Sequence, residues 1–293
     1  MSTSSTQREN FTHPEYHYLD LVRNMLTNGE QRPDKRRAGT TSLFATPTAP
    51  PQPEKPHTPV LSTKHVFQKV ILYELFWFIS GSTNNVPVSA VGAKILEGDG
   101  SRAYLDCIGL TERAQRDLGP VYGFQLRHIG AKYVDCHMGY PVQCKHHLRP
   151  HHHVRMESDR SGEDGVAAVS HVCQFYVLYK DGKGEGALCC VLYQRSCDMG
   201  LGVPFNIASS RLLTIMIAHV CGLEPGEFRD TMGDENGYAD REDTLKVQLE
   251  RAPRELPTAK INRQVDDIDD FKSEDFKRVG HDPHPGIKMN PAV

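Results

Sequence analysis

The residues best placed to do chemistry lie together in Gln194–Ser209, which reads QRSCDMGLGVPFNIAS. Arg195 offers a rigid fork of donors suited to a phosphate or a carboxylate. Ser196 adds a hydroxyl and Asp198 an acceptor. Asn206 presents a donor and an acceptor side by side, which suits one edge of a pyrimidine ring. Gly200 and Gly202 let backbone come close to a ligand. The competing reading is a Gly/Pro turn leading into a helix over 207–220.

Two other residues could move protons. Glu74 sits in the middle of Phe67–Ser80, FQKVILYELFWFIS, a segment apolar enough for a helix buried on most sides. A carboxyl there must find partners or hold its proton to higher pH, which is how a general acid or base is tuned. Tyr122 lies in Asp117–His128, DLGPVYGFQLRH. For both residues, plain core packing is the alternative. The five histidines at 146, 147 and 151–153 invite a metal reading, but three adjacent histidines cannot all point at one ion from regular structure. No metal is expected.

The elements that must position these groups follow from pattern. Thr12-His-Pro-Glu15 reads as a capping box, with Tyr18, Leu21, Val22, Met25 and Leu26 on one helical face and Gly29 as the stop. Residues 1–11 are polar and expected to be disordered. Six prolines in 46–59 argue for a linker or loop insert there. Gln174–Tyr179 and Ala187–Gln194, joined by a turn, read as two antiparallel strands. The helix over 207–220 stops near Gly222.

The formal charge of -3 and pI near 6.6 argue against a generally basic nucleic-acid binder. No apolar run approaches the roughly 18–20 residues of a membrane span, and the first ten residues have no apolar core of a secretion signal. The eight cysteines are scattered without a framework pattern, so they read as reduced thiols in cytosol or nucleus.

QRS-x-DMGLGVPFNIAS resembles the nucleotide-binding signature of the thymidylate synthase family. The resemblance continues in YLDLVRNMLTNGEQRPD, ELFWFISGSTN, DLGPVYGFQLRH, and the ending IDDFKSEDFK followed by PHPGIKM. It implies an α/β fold of the α+β type: one domain over 12–293 with a large mixed sheet and flanking helices, paired as a homodimer, sheet on sheet. The implied reaction is reductive methylation of dUMP to dTMP by 5,10-methylenetetrahydrofolate. Arg195 and Ser196 would hold phosphate, helped by Lys35, which aligns with a family Arg in Asp34–Phe44. Asp198 and Asn206 would orient the pyrimidine, and Tyr238 would hold the sugar. Glu74 and Tyr122 would handle protons. Trp77, Asp198 and Gly202 would meet the folate. Asn236 stands where the family has a His, and Leu96 and Leu126 where it has Trp.

The resemblance fails around 45–58 and over 141–171. Counting back from Cys173-Gln-Phe-Tyr176 puts the family's nucleophilic Cys at Val169, which has no nucleophile. The family's Arg-Arg pair has no equivalent either. Read from the second base of each codon, His151–Ser158 can encode I-I-M-S-A-W-N-P, and Asp164–Ser170 can encode M-A-L-P-P-C-H. Both are family sequences at family spacing, in one shifted frame. Residues near 150–171 therefore read as an out-of-frame translation. Cys173 is expected in the core. Cys197, in place of a family Gly, is a poor substitute nucleophile.

Overall fold

The structure is a computed structural model, which describes residues 13–33, 39–44, 60–92, 97–120, 122–128, 153–156, 171–179 and 186–289. For 153–156, Tyr122, Gln125 and His128 it describes the backbone only. The N-terminal stretch 1–11, Lys35, the proline-rich insert 46–59, Leu96 and Val169 all lie outside the described residues.

The helices are α1 (Glu15–Asn28), α2 (Gln68–Ser80), α3 (Val86–Ala90), α4 (Arg102–Cys107), α5 (Tyr122–His128), α6 (Gly202–Cys221) and α7 (Glu242–Leu249). The strands are β1 (Glu30–Arg32), β2 (Thr40–Phe44), β3 (His153–Met156), β4 (His171–Leu178), β5 (Ala187–Gln194), β6 (Cys197–Asp198), β7 (Glu224–Met232), β8 (Asp234–Tyr238), β9 (Thr258–Ile261) and β10 (Phe276–Val279). They form two four-stranded mixed sheets and one hairpin. One sheet runs β3-β4-β5-β7, the other β1-β2-β8-β6, and β9 pairs with β10.

Strand alternation divides the first sheet into two faces. On β4, His171, Cys173, Phe175 and Val177 point inward and are buried, while Tyr176 and Leu178 point outward. The inward face packs on α6, where Val203, Ala208, Leu212, Met216 and Ala218 are all buried. Each large apolar side chain so enclosed stabilises the fold by roughly 1.5–3 kcal/mol, so α6 and this sheet form the main core. The outward face keeps Tyr176, Leu178, Val191 and Tyr193 in solvent.

Three sequence expectations change. First, α6 begins at Gly202 rather than 207. Pro204 falls in the first turn, where no intrahelical N–H is needed, and Asp198 Oδ1 takes the N–H groups of Gly200 and Leu201 at 2.9 and 3.3 Å. The helix ends at Gly222 in the left-handed conformation, φ 67°. Second, α6 does have the length and composition of a membrane span, at 20 residues, but 78% of its most apolar window is buried in the protein. Third, Glu15 reaches well beyond the local cap that Thr12-His-Pro-Glu15 suggests, and Thr12 itself lies outside the described residues. The Glu15 carboxylate accepts from Ser62 N and Thr63 N at 2.9 and 2.8 Å and from both hydroxyls, while Glu15 N donates to His13 Nδ1 at 3.2 Å at the start of α1.

Candidate active site

The ligand loop joins the two sheets. Gln194 ends β5, and Cys197–Asp198 is β6, parallel to β8 with Asp198 opposite Asn236. The loop is fastened from several directions. Gly233 N donates to Gln194 O at 2.8 Å, and Met199 N to Asn236 O at 2.9 Å. Tyr18 of α1 donates its hydroxyl to Met199 O at 2.7 Å. The buried ammonium of Lys64 donates to Gly200 O. Burial lowers Lys64 to about 8, with Asp198 opposing the shift and Arg241 adding to it. Arg241 Nη1 reaches Asp198 Oδ2 at 2.5 Å.

Ser196, Asn236 and Tyr238 are brought together. Glu235 and Gly237 are buried on one face of β8, so Asn236 and Tyr238 share the other. Asn236 Nδ2 donates to Ser196 Oγ at 2.9 Å, and its Oδ1 accepts from Ser42 at 2.5 Å. Arg195 is exposed beside them. A Cβ on Gly200 would lie 3.3 Å from Asp198 Oδ1 and 3.4 Å from Met289 Sδ. A Cβ on Gly202 would project between Asp198 Cβ, at 3.4 Å, and Asn206 Nδ2, at 3.8 Å. A side chain at 202 would thus fill the space between the two pyrimidine-recognition candidates.

A buried polar chain lies behind Asn206. Its Nδ2 donates to Gln194 Oε1 at 2.7 Å and lies 3.0 Å from His171 Nε2. Gln194, fully enclosed, donates from Nε2 to both oxygens of Asp230 at 3.0 and 3.1 Å. Desolvation pushes His171 down to about 4 and Asp230 up to about 7. Both groups are therefore held toward their neutral forms. These contacts turn the Nδ2 end of the Asn206 amide toward Gln194 and His171.

Glu74 lies on α2. The residue is partly exposed, and desolvation by its apolar surroundings pushes its carboxyl up to about 7. That value suits a group that exchanges protons near neutrality. Tyr122 opens α5, and α5 meets α2 without room for a side chain: a Cβ on Gly123 would lie 3.0 Å from Phe78 Cα. Trp77, on the same helix as Glu74, packs with Val88 and Leu118 in a separate small cluster and donates its indole N–H to Asn84 O at 2.8 Å.

Among the cysteines, Cys173 is buried in the main core with Sγ 4.0 Å from Ser210 Oγ. Cys197 is buried too, and desolvation with four nearby carboxylates pushes its thiol well up, against thiolate formation. The sequence reading missed Tyr18, Lys64, His171, Asp230 and Arg241. Lys64 carried a signal, a cation ending the otherwise uncharged stretch Val60–Lys64. Arg241 carried another, lying three residues after Tyr238.

The fold is a mixed α/β one, with a Gly-rich loop between its two sheets and, on α2, a carboxyl raised by desolvation. A family model described as thymidylate synthase matches residues 16–293. Thymidylate synthase of Saccharomyces cerevisiae is 47% identical over 95% of this chain and 97% of its own length. That of Homo sapiens is 44% identical over 96% of this chain and 91% of its own. The bifunctional dihydrofolate reductase-thymidylate synthase of Daucus carota is 43% identical over 96% of this chain and 54% of its own length. The chain belongs to the thymidylate synthase family, a family of methyltransferases.

Proposed function

We propose that Gln194–Ser209 is a dUMP site built for reductive methylation of dUMP to dTMP, and that the chain as it stands binds nucleotide without completing the reaction. The observation that carries the binding half is the fastening of Ser196, Asp198, Asn206 and Tyr238 around one loop. Arg195, Ser196 and Lys35 hold the phosphate. Asn206 and Asp198 orient the pyrimidine, and Tyr238 takes the sugar hydroxyl. Glu74 and Tyr122 serve proton transfer at the ring, which the raised value of Glu74 supports. The reaction half fails at Val169, because a valine cannot add to C6 of the pyrimidine.

The residues present fit a folate at this site: the Asp198 side chain keeps 24% of its surface exposed, and the glycine at 202 leaves space beside it. Asp198, Gly202 and Trp77 would hold 5,10-methylenetetrahydrofolate, which supplies the one-carbon unit and the hydride when bound. Asp198 contributes an acceptor for a ring N–H, and Gly202 contributes close backbone approach.

The exposed apolar face of β4 and β5, with Tyr176, Leu178, Val191 and Tyr193, supports a homodimer packed sheet on sheet. We take residues 12–293 as one domain, working in cytosol or nucleus. The second reading is a non-catalytic nucleotide-binding relative or dimer partner, which Val169 favours. Sequencing the transcript across 150–171 separates them: a shifted frame there restores the enzyme, and the frame as given leaves the pseudoenzyme. Calorimetric titration with dUMP and with deoxyuridine tests the site itself. Binding of dUMP that is at least tenfold tighter, on the scale of charge-assisted phosphate contacts, is the expected result. Equal affinities would remove the phosphate role of Arg195 and Ser196.

A further inference from the structure

Arg241 closes the three-residue turn Ala239–Arg241 after β8 and is only 2% exposed. It touches two ligand-site residues from two different elements. Its Nη1 lies 2.5 Å from Asp198 Oδ2 on β6. Its guanidinium carbon lies 4.5 Å from the ring centroid of Tyr238, at the end of β8. Within the same side chain, Nε and Nη2 are buried without a hydrogen-bond partner among the described residues, and Nε lies 3.9 Å from Asp240 Oδ1. An enclosed guanidinium with unused donors is costly unless the rest of its contacts compensate. Here the compensation is a close ion pair with Asp198, a looser one with Asp240 and a cation–π contact with Tyr238.

We propose that Arg241 is a positioning residue that sets the base side and the sugar side of the nucleotide site together. Asp198 spends Oδ1 on the N–H groups of Gly200 and Leu201, and Arg241 fixes Oδ2. The carboxylate plane, and the Gly200–Gly202 turn it caps, are thereby pinned. The same guanidinium fixes the ring plane of Tyr238, and so the direction of its hydroxyl. Lysine at this position keeps the charge but has neither the fork nor the flat face. The inference rests on the reading of this loop as a dUMP site, but it needs no turnover.

The test is a pair of affinities measured by calorimetry on the full chain. One ligand is dUMP. The other is 2′,3′-dideoxyuridine monophosphate, which lacks the only free sugar hydroxyl. The parent chain is expected to prefer dUMP by about tenfold, the size of one hydrogen bond to the sugar. In Arg241→Met the preference falls below about twofold, because Tyr238 is no longer aimed. In Arg241→Lys it falls to an intermediate value. A purely structural role would lower both affinities together and leave their ratio unchanged. That result, in either variant with a cooperative melt, overturns the inference. Should Arg241→Met fail to melt cooperatively, Arg241→Lys and Tyr238→Phe decide the matter. Tyr238→Phe must abolish the preference in the parent background, and in Arg241→Lys it must change the ratio by less than it does in the parent. If the parent binds no dUMP, the nucleotide-site reading falls and takes this inference with it. If the parent discriminates and the variants discriminate equally, only the inference falls.

Discussion

On the reading proposed above, the loop at 194–209 keeps its recognition residues while the stretch at 141–171 has lost its chemistry. Four contacts tie this loop to distant parts of the fold: Tyr18 on Met199, Lys64 on Gly200, Asn236 on Ser196 and Arg241 on Asp198. The other stretch is, on the same reading, where the family's nucleophile and phosphate-reaching Arg pair would lie, and its sequence has Val169 at the nucleophile's place. Recognition and covalent chemistry then belong to separate stretches of the chain. One can therefore persist while the other is lost.

The sharpest way to break this contrast is to repair the deficient side. Restoring the shifted frame over 150–171 should raise turnover from undetectable by many orders of magnitude, since it returns the thiol on which the covalent step depends. Val169→Cys alone should recover far less, because the family's Arg pair has no equivalent in this sequence. Activity is read by conversion of dUMP with the folate co-substrate. On the intact side, Arg195→Ala should weaken dUMP binding by about 10- to 100-fold, the range of a charge-assisted hydrogen bond, as read by calorimetry. If both sides were equally degraded, neither variant would change anything.

A stability probe comes next. Glu15 binds the backbone and hydroxyls of Ser62 and Thr63 from within the core, next to Lys64 and the ligand loop. Glu15→Ala should cost about 3 kcal/mol, the scale of stranded buried donors facing a lost carboxylate, measured by denaturant unfolding. Because the loop hangs on Lys64, dUMP affinity should fall with it.

The polar chain behind Asn206 predicts a pH dependence. Asp230 is raised to about 7, so the folded state favours its neutral form. Its contribution is complete below the ordinary carboxyl range near 4 and is lost as pH rises to about 7. Glu74 acts in the same sense, from about 4.5 to about 7. His171, lowered to about 4, works oppositely and loses its contribution as pH falls from 6.5 to about 4. Asp230→Asn should flatten the decline between pH 4 and 7 in a melting series, while His171→Gln should flatten the acid side. The smallest expected effect is Cys173→Ala: about 1 kcal/mol of stability from the lost core volume, with dUMP affinity unchanged.

The sequence made some of this legible and hid the rest for physical reasons. Helix α2, strands β4 and β5 and the stop at Gly222 follow local rules of period and capping, and they stand where those rules put them. The ligand loop was legible because its residue types are chemically specific. The start of α6 was not, since Pro204 looks like a breaker until it is seen to occupy a first turn. Glu15 looked like a local cap because its partners are 47 and 48 residues away. Lys64 and Arg241 meet the loop across 136 and 43 residues. Buried cations of this kind reveal their role only through distant partners, which no window of sequence contains.

The central claim is that this chain recognises dUMP but cannot carry it through the covalent step. Tritium release from [5-³H]dUMP, in the presence of 5,10-methylenetetrahydrofolate, tests it most directly when the chain as it stands is run beside its frame-restored counterpart. The account predicts release by the restored chain alone, with both chains binding dUMP. Sustained release by the chain carrying Val169 would contradict it.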